Sequence, residues 1–194
     1  MAPSPEIIQL LHRKLAGYLP VTRLQAEGLR AKASAQYYPR KFSLCAKGQL
    51  YTRLHFVVEG YLACYALNRY GDRQMISLFS NRQLVLPASV ISGQPATYEW
   101  VAVRDSYLLT IELNDLAGLD SRFPMVIIAA NTQHEQELGR FLRKPTTYKV
   151  ARFYEQHPAF RKPGYPLPDI DVASYLGIGE STLRRERLKL FSQP

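Results

Sequence analysis

The stretch from Leu54 to Phe79, LHFVVEGYLACYALNRYGDRQMISLF, constrains the fold more than any other part of the chain. Leu54, Phe56 and Val58 share one side, Leu62 and Cys64 resume beyond a turn at Glu59-Gly60, and Gln74, Ile76 and Leu78 continue beyond a turn at Asn68–Asp72. Successive strand side chains point to opposite faces, so runs of period two separated by turn residues mark an antiparallel meander. EWVAVRDSYLLTIEL adds two strands around an Arg104-Asp105-Ser106 turn. The region from Gln36 to about Ile111 therefore reads as a small sandwich or barrel of about eight strands.

Helical periodicity flanks this region. A first helix runs roughly from Glu6 to Tyr18, with Ile7, Leu10, Leu11 and Leu15 on one face, and a second covers Arg23–Ala35. After the strands, Asn114 or Asp115 is expected to cap a short helix, and Pro124 sits near the first turn of a longer one reaching about Arg143. KPTTY interrupts it, Thr147 or Thr146 is expected to cap a helix over Tyr148–His157, and PAFRKPGYPLPD reads as a loop. From Val172 to Leu190 the chain reads VASYLGIGESTLRRERLKL, two short amphipathic segments hinged on Gly177.

Composition narrows the function classes. Hydrophobic residues make up 46% of the 194 residues, enough for a real core, and no apolar run has the length of a membrane span. The amphipathic N-terminus lacks a signal-peptide core, so a cytoplasmic protein with no membrane partner is expected. Cys45 and Cys64 are too few to hold a zinc ion or iron–sulfur cluster unaided and read as buried strand residues. The net charge is +9, and residues 140–194 hold 11 Lys+Arg against 5 Asp+Glu, which favours an anionic partner there. Of the four histidines only His55 falls among the strands, and no phosphate loop or nucleophile motif is present. The chain is read as a non-enzyme that needs no cofactor.

The meander, followed by SGQPATYEWVAVRDSYLLTIE, a long helix and DIDVASYLGIGESTLRRERLKL, resembles the Crp/Fnr superfamily of bacterial transcription regulators over nearly the whole chain. The resemblance implies an α+β fold: an N-terminal β-barrel or jelly roll with flanking helices, a long dimerisation helix and a C-terminal helix-turn-helix. It implies a cyclic-nucleotide-binding-like sensor over 1–120, a dimerisation helix over 121–144 and a DNA-binding unit over 145–194. The expected partners are double-stranded DNA, a second copy of the chain through Ile127, Leu138 and Phe141, and an unknown small-molecule effector or none.

Family members that bind cyclic nucleotides carry a Gly-Glu pair and an Arg-Ser/Thr pair; the Glu takes the ribose hydroxyl and the Arg the phosphate. Aligning on Gly93-Gln94-Pro95 puts Val85-Leu86 and Ala96-Thr97 at those pairs, so both charged readers are missing. Arg73, Arg82, Ser92, Gly93 and Thr97 remain as candidates for an effector pocket, and a barrel that only scaffolds dimerisation is the alternative.

In the terminal helix pair, Ala173 is the small residue a close helix crossing needs, Gly177 supplies the turn, and Val172, Leu176, Ile178 and Leu183 form the small core. The candidate DNA-contacting residues are Glu180, Ser181, Thr182, Arg184, Arg185 and Arg187. Glu180 stands where many members carry Arg and Ser181 where they carry Glu. Glu186 replaces an apolar residue that would hold the helix. Only four residues follow Leu190, too few for a full wing, so backbone contacts are expected from Lys144, Lys149, Arg161 and Lys162. The competing reading is a small-molecule sensor or interaction protein whose terminal helices no longer bind DNA.

Overall fold

The computed structural model describes residues 3–161 and 167–191. Two helices, α1 (Pro5–Ala16) and α2 (Arg23–Lys32), precede eight strands: β1 (Ser34–Tyr38), β2 (Ser43–Cys45), β3 (Arg53–Glu59), β4 (Leu62–Leu67), β5 (Arg73–Phe79), β6 (Leu84–Val85), β7 (Glu99–Ala102) and β8 (Ser106–Glu112). A short helix, α3 (Ala88–Ser92), lies between β6 and β7. After β8 follow α4 (Leu113–Leu119), α5 (Phe123–Leu142), α6 (Thr146–Gln156), a 3-10 turn at Pro158–Phe160, α7 (Asp169–Leu176) and α8 (Glu180–Phe191).

The strands form two antiparallel four-stranded sheets, ordered β1-β8-β3-β6 and β2-β7-β4-β5. This is a jelly-roll-like sandwich; the closed barrel allowed by the sequence does not form. Each sheet is buried on both faces. Val57 and Leu108 point between the sheets, while Phe56, Leu109 and Ile111 point outward to a core shared with α1, α2, α4 and α5. On the second sheet Leu62 and Cys64 point inward, and Ala63 and Tyr65 outward to a core built with α6, α7 and α8. Double-faced burial explains why both alternating sets of side chains on β3 and β4 are largely apolar.

One strand departs from simple alternation. Opposite β4, Cys64 pairs with Ser77 but Tyr65 with Met75, so Ile76 is an extra residue in β5. The bulge puts Met75 and Leu78 on one buried face and leaves Gln74 and Ile76 exposed, in place of the expected Gln74, Ile76, Leu78 face. At the Glu59-Gly60 turn, Gly60 has φ +106, and a Cβ there would lie 2.6 Å from the Ser106 Cα and 2.7 Å from the Asp105 carbonyl. Only glycine fits this crossing of the two turns.

Two expected caps are corrected. Glu112, not Asn114 or Asp115, precedes α4, and α6 begins after Pro145 without a side-chain cap from either threonine. Thr147 instead donates from its hydroxyl to Glu186 (3.0 Å). Prolines close to the first turns of α5 and α6 explain both starts, since a fixed φ and a missing N–H suit a helix entrance.

Candidate nucleic-acid interface and sandwich interior

The terminal helix pair packs as one unit around a shared core. Gly177 closes α7 at φ +61, with its N–H donating to the Ser174 carbonyl (3.1 Å) and the Ile178 N–H to the Ala173 carbonyl (3.0 Å). This pair of bonds is the left-handed helix stop that glycine permits. Lys149 completes it: its ammonium, buried on α6, donates to the Leu176 carbonyl at 2.5 Å, a cation on a helix C-terminus. Burial pushes the Lys149 ammonium below its ordinary pKa. Lys149 is therefore a structural cap and is not free for a DNA phosphate. Lys144 and Arg161 are exposed, and Lys162 lies outside the described residues.

Val172, Ala173, Leu176 and Leu183 are buried between the helices and Ile178 is half-buried, as the amphipathic pattern requires. Glu186 is buried too, and the apolar residue expected at its place proves unnecessary. Its carboxylate accepts from Thr147, Arg185 (3.3 Å) and Lys189 (3.1 Å), and these bonds, Lys189 foremost, hold it below the usual carboxylate range.

The outward face of α8 consists of Ser181, Arg184, Arg185, Leu188 and Lys189, all exposed. Their spacing of three and four residues makes one continuous stripe. Glu180 and Thr182 are half-buried at its margin. Behind the stripe, Asp169 at the start of α7 collects two arginines: Arg187 at 2.5 and 3.1 Å and Arg184 at 2.9 Å. Partial burial works to raise the Asp169 carboxyl, but the hydrogen bonds from Arg187 and Arg184 outweigh it and hold it low. Arg187 also donates to the Tyr154 hydroxyl (3.3 Å) and is one-third exposed, so it braces α8 against α6 and α7. The sequence missed Asp169 as an anchor and Leu188 and Lys189 as members of the stripe. The charge of Lys189 one turn beyond Arg185 was the available signal for it; the pairing of Asp169 across the turn left none.

The same unit is docked on the sandwich. Ser174 on α7 accepts from the Met75 N–H of the edge strand β5 (2.9 Å), and the Tyr65 hydroxyl donates to Asp171 (3.0 Å). Covering an edge strand in this way removes a free row of backbone groups.

Between the sheets, Leu44, Val57, Leu62, Val85, Ala96 and Leu108 pack around Phe79 and Trp100, whose ring centroids are 5.6 Å apart. Leu86 is buried beyond β6 with its N–H on Asn131 (3.2 Å), and Ala96 is held by backbone bonds to Gln49 and Gly48. None of the five candidate effector residues belongs to this interior cluster. Arg73 stacks on Tyr65 at 3.5 Å and pairs with Glu99 (3.2 Å); Arg82 is an exposed turn residue at φ +65; Ser92 and Gly93 close α3; Thr97 is exposed. His55 is a satisfied core residue between Tyr51 (2.6 Å) and Thr110 (2.9 Å), and burial, with a smaller push from Arg53, lowers its pKa to about 3.

Residues 35–122 match the family described as Cyclic nucleotide-binding domain. The match begins in β1, ends just past α4 and so reaches all eight strands. The sandwich and its helices share their fold with FixK2 from Bradyrhizobium japonicum (21% identity, TM-score 0.64, covering 83% of this chain and 85% of that one). They also share it with DNR from Pseudomonas aeruginosa (19%, TM-score 0.57, 100% and 90%). A third likeness is to the c-di-GMP responsive global regulator CLP of Xanthomonas campestris (16%, TM-score 0.59, 87% and 91%). No curated protein matches the sequence.

Of the three residues expected to form a dimer seam on α5, one is buried within its own chain. Ile127 is 1% exposed inside its own chain's core, and Leu138 and Phe141 are half-buried against the C-terminal core. The outward face of α5 carries Met125, Ala129, Thr132, Gln136 and Arg143 instead. Among the described residues no helix is long and apolar enough to cross a membrane.

Proposed function

We propose that the chain is a dimeric DNA-binding transcription regulator of the Crp/Fnr type whose sandwich takes no cyclic nucleotide. The observation that carries this reading is the exposed stripe of Ser181, Arg184, Arg185, Leu188 and Lys189 on a helix pinned at its back by Leu183, Glu186 and Arg187. A helix of 12 residues is about 18 Å long, and a groove about 12 Å wide admits it. α7 and α8 then act as a helix-turn-helix, with α8 as the reading helix. Arg184 is the candidate for a bidentate guanine contact and Arg185 and Lys189 for phosphates; Arg187 is reassigned from phosphate contact to brace. The fold shared with a protein described as a global regulator supports the same reading.

The test is selection of binding sites from random duplexes with purified protein. Enrichment of a palindrome supports both DNA reading and a two-fold dimer. No enrichment overturns the proposal in favour of a sensor whose terminal helices serve only packing.

A further inference from the structure

Outside the sandwich, a cavity of about 490 Å³ opens where β5, α5, α6 and α7 meet. That volume lies within the range of small-molecule sites. Its apolar wall is made by Leu78, Phe141 and Tyr175, two of them aromatic faces on which a flat ligand can lie. Its rim carries Arg140, Lys144 and Arg152 against the single acid Glu137. Arg152 is engaged by Glu155 (2.8 Å), whereas Arg140 and Lys144 have no acid partner among the described residues, so their charges are available. A second, independent observation comes from His157, which lines the cavity and is 8% exposed. Its Nδ1 is buried without a hydrogen-bond partner, an arrangement that native interiors rarely leave without a reason.

We propose that this cavity binds a small organic anion with a planar apolar body, its acid head held by Arg140 and Lys144 and its body lying against Phe141, Tyr175 and His157. The head is a carboxylate or a phosphate, since both present the oxygens that a guanidinium and an ammonium recognise. Four elements from the sandwich, the long helix and the terminal helices wall the site, so an occupant ties the C-terminal helices to the sandwich. The site stands on its own whether or not the chain reads DNA.

The test is a fluorescence titration of the full chain with 1-anilinonaphthalene-8-sulfonate, run beside the uncharged N-phenyl-1-naphthylamine. We expect saturable binding of the anion at one site per chain. Arg140→Ala combined with Lys144→Ala should weaken it at least tenfold and leave the neutral probe unchanged; both residues are exposed, so the variant keeps its fold. The His157 ring resonances should shift on binding. Displacement by 1-naphthyl phosphate marks a phosphate head and displacement by 1-naphthoate a carboxylate head. Displacement by neither, unchanged affinity in the double variant, or unmoved His157 signals would overturn the proposal.

Discussion

Replacing Arg187 with alanine should cost stability, while replacing Arg184 should cost recognition, although the two arginines share Asp169. Arg187 makes two hydrogen bonds to the Asp169 carboxylate, at 2.5 and 3.1 Å, with the partners 33% and 19% exposed. A charge-assisted bond contributes about 1.5–3 kcal/mol, and partial exposure screens this pair toward the low end, so about 2 kcal/mol is expected for Arg187→Ala. Arg184 is 59% exposed, and its pairs with Asp169 and Glu180 are of the surface kind, worth about 0–1 kcal/mol. Urea unfolding with a slope of about 2 kcal/mol/M separates the two as a midpoint shift of about 1 M against less than half of that. In anisotropy titrations, Arg184→Ala should lose about 1–3 kcal/mol on the selected duplex and little on a random one, because only a base contact distinguishes sequences. The reasoning fails if Arg184→Ala weakens both duplexes equally, or if it unfolds as readily as Arg187→Ala.

Cyclic AMP and cyclic GMP should show no binding by calorimetry at about 100 μM, a concentration at which even a weak site of about −5.5 kcal/mol would be half filled. Leu86 and Ala96 offer neither reader, and moving Trp100 out of the apolar cluster between the sheets would forfeit on the order of 4 kcal/mol of apolar burial; a micromolar dissociation constant would refute this. Light scattering should find a dimer at micromolar protein that Ala129→Asp, on the outward face of α5, converts to monomer with little loss of thermal stability. A monomeric wild type, or an unaffected variant, removes that seam. Stability should fall as the solution is acidified below pH 6.5: His157 is lowered by burial to about 4 and His55 to about 3 from an ordinary 6.5. The unfolded chain then binds protons that the folded chain refuses, so each histidine removes about 2 kcal/mol by pH 5. Replacing His157 with phenylalanine should flatten this slope, and an unchanged slope would show that it titrates freely in the folded state.

The alternation in β3 and β4 and the long helical period after Pro124 were legible because they repeat a local rule, and they placed the strand region and α5 within a few residues. The terminal helices were legible for the same reason, since Ala173, Gly177 and Leu183 encode a close crossing within a dozen residues. Closure was not legible. Whether eight strands make a barrel or two sheets depends on which edges pair, and the bulge at Ile76 that turned Leu78 toward the C-terminal core arises from pairing with β4. Ile127, Leu138 and Phe141 looked alike as apolar positions on one helix, and only the neighbours of α5 assigned them to two cores of the same chain. Lys149, Arg187 and Asp169 carry the same lesson for charge. A sequence records that a side chain is cationic, but whether the charge meets solvent, a helix end or a carboxylate many residues away is set by the approach of α6, α7 and α8, which non-local packing alone decides.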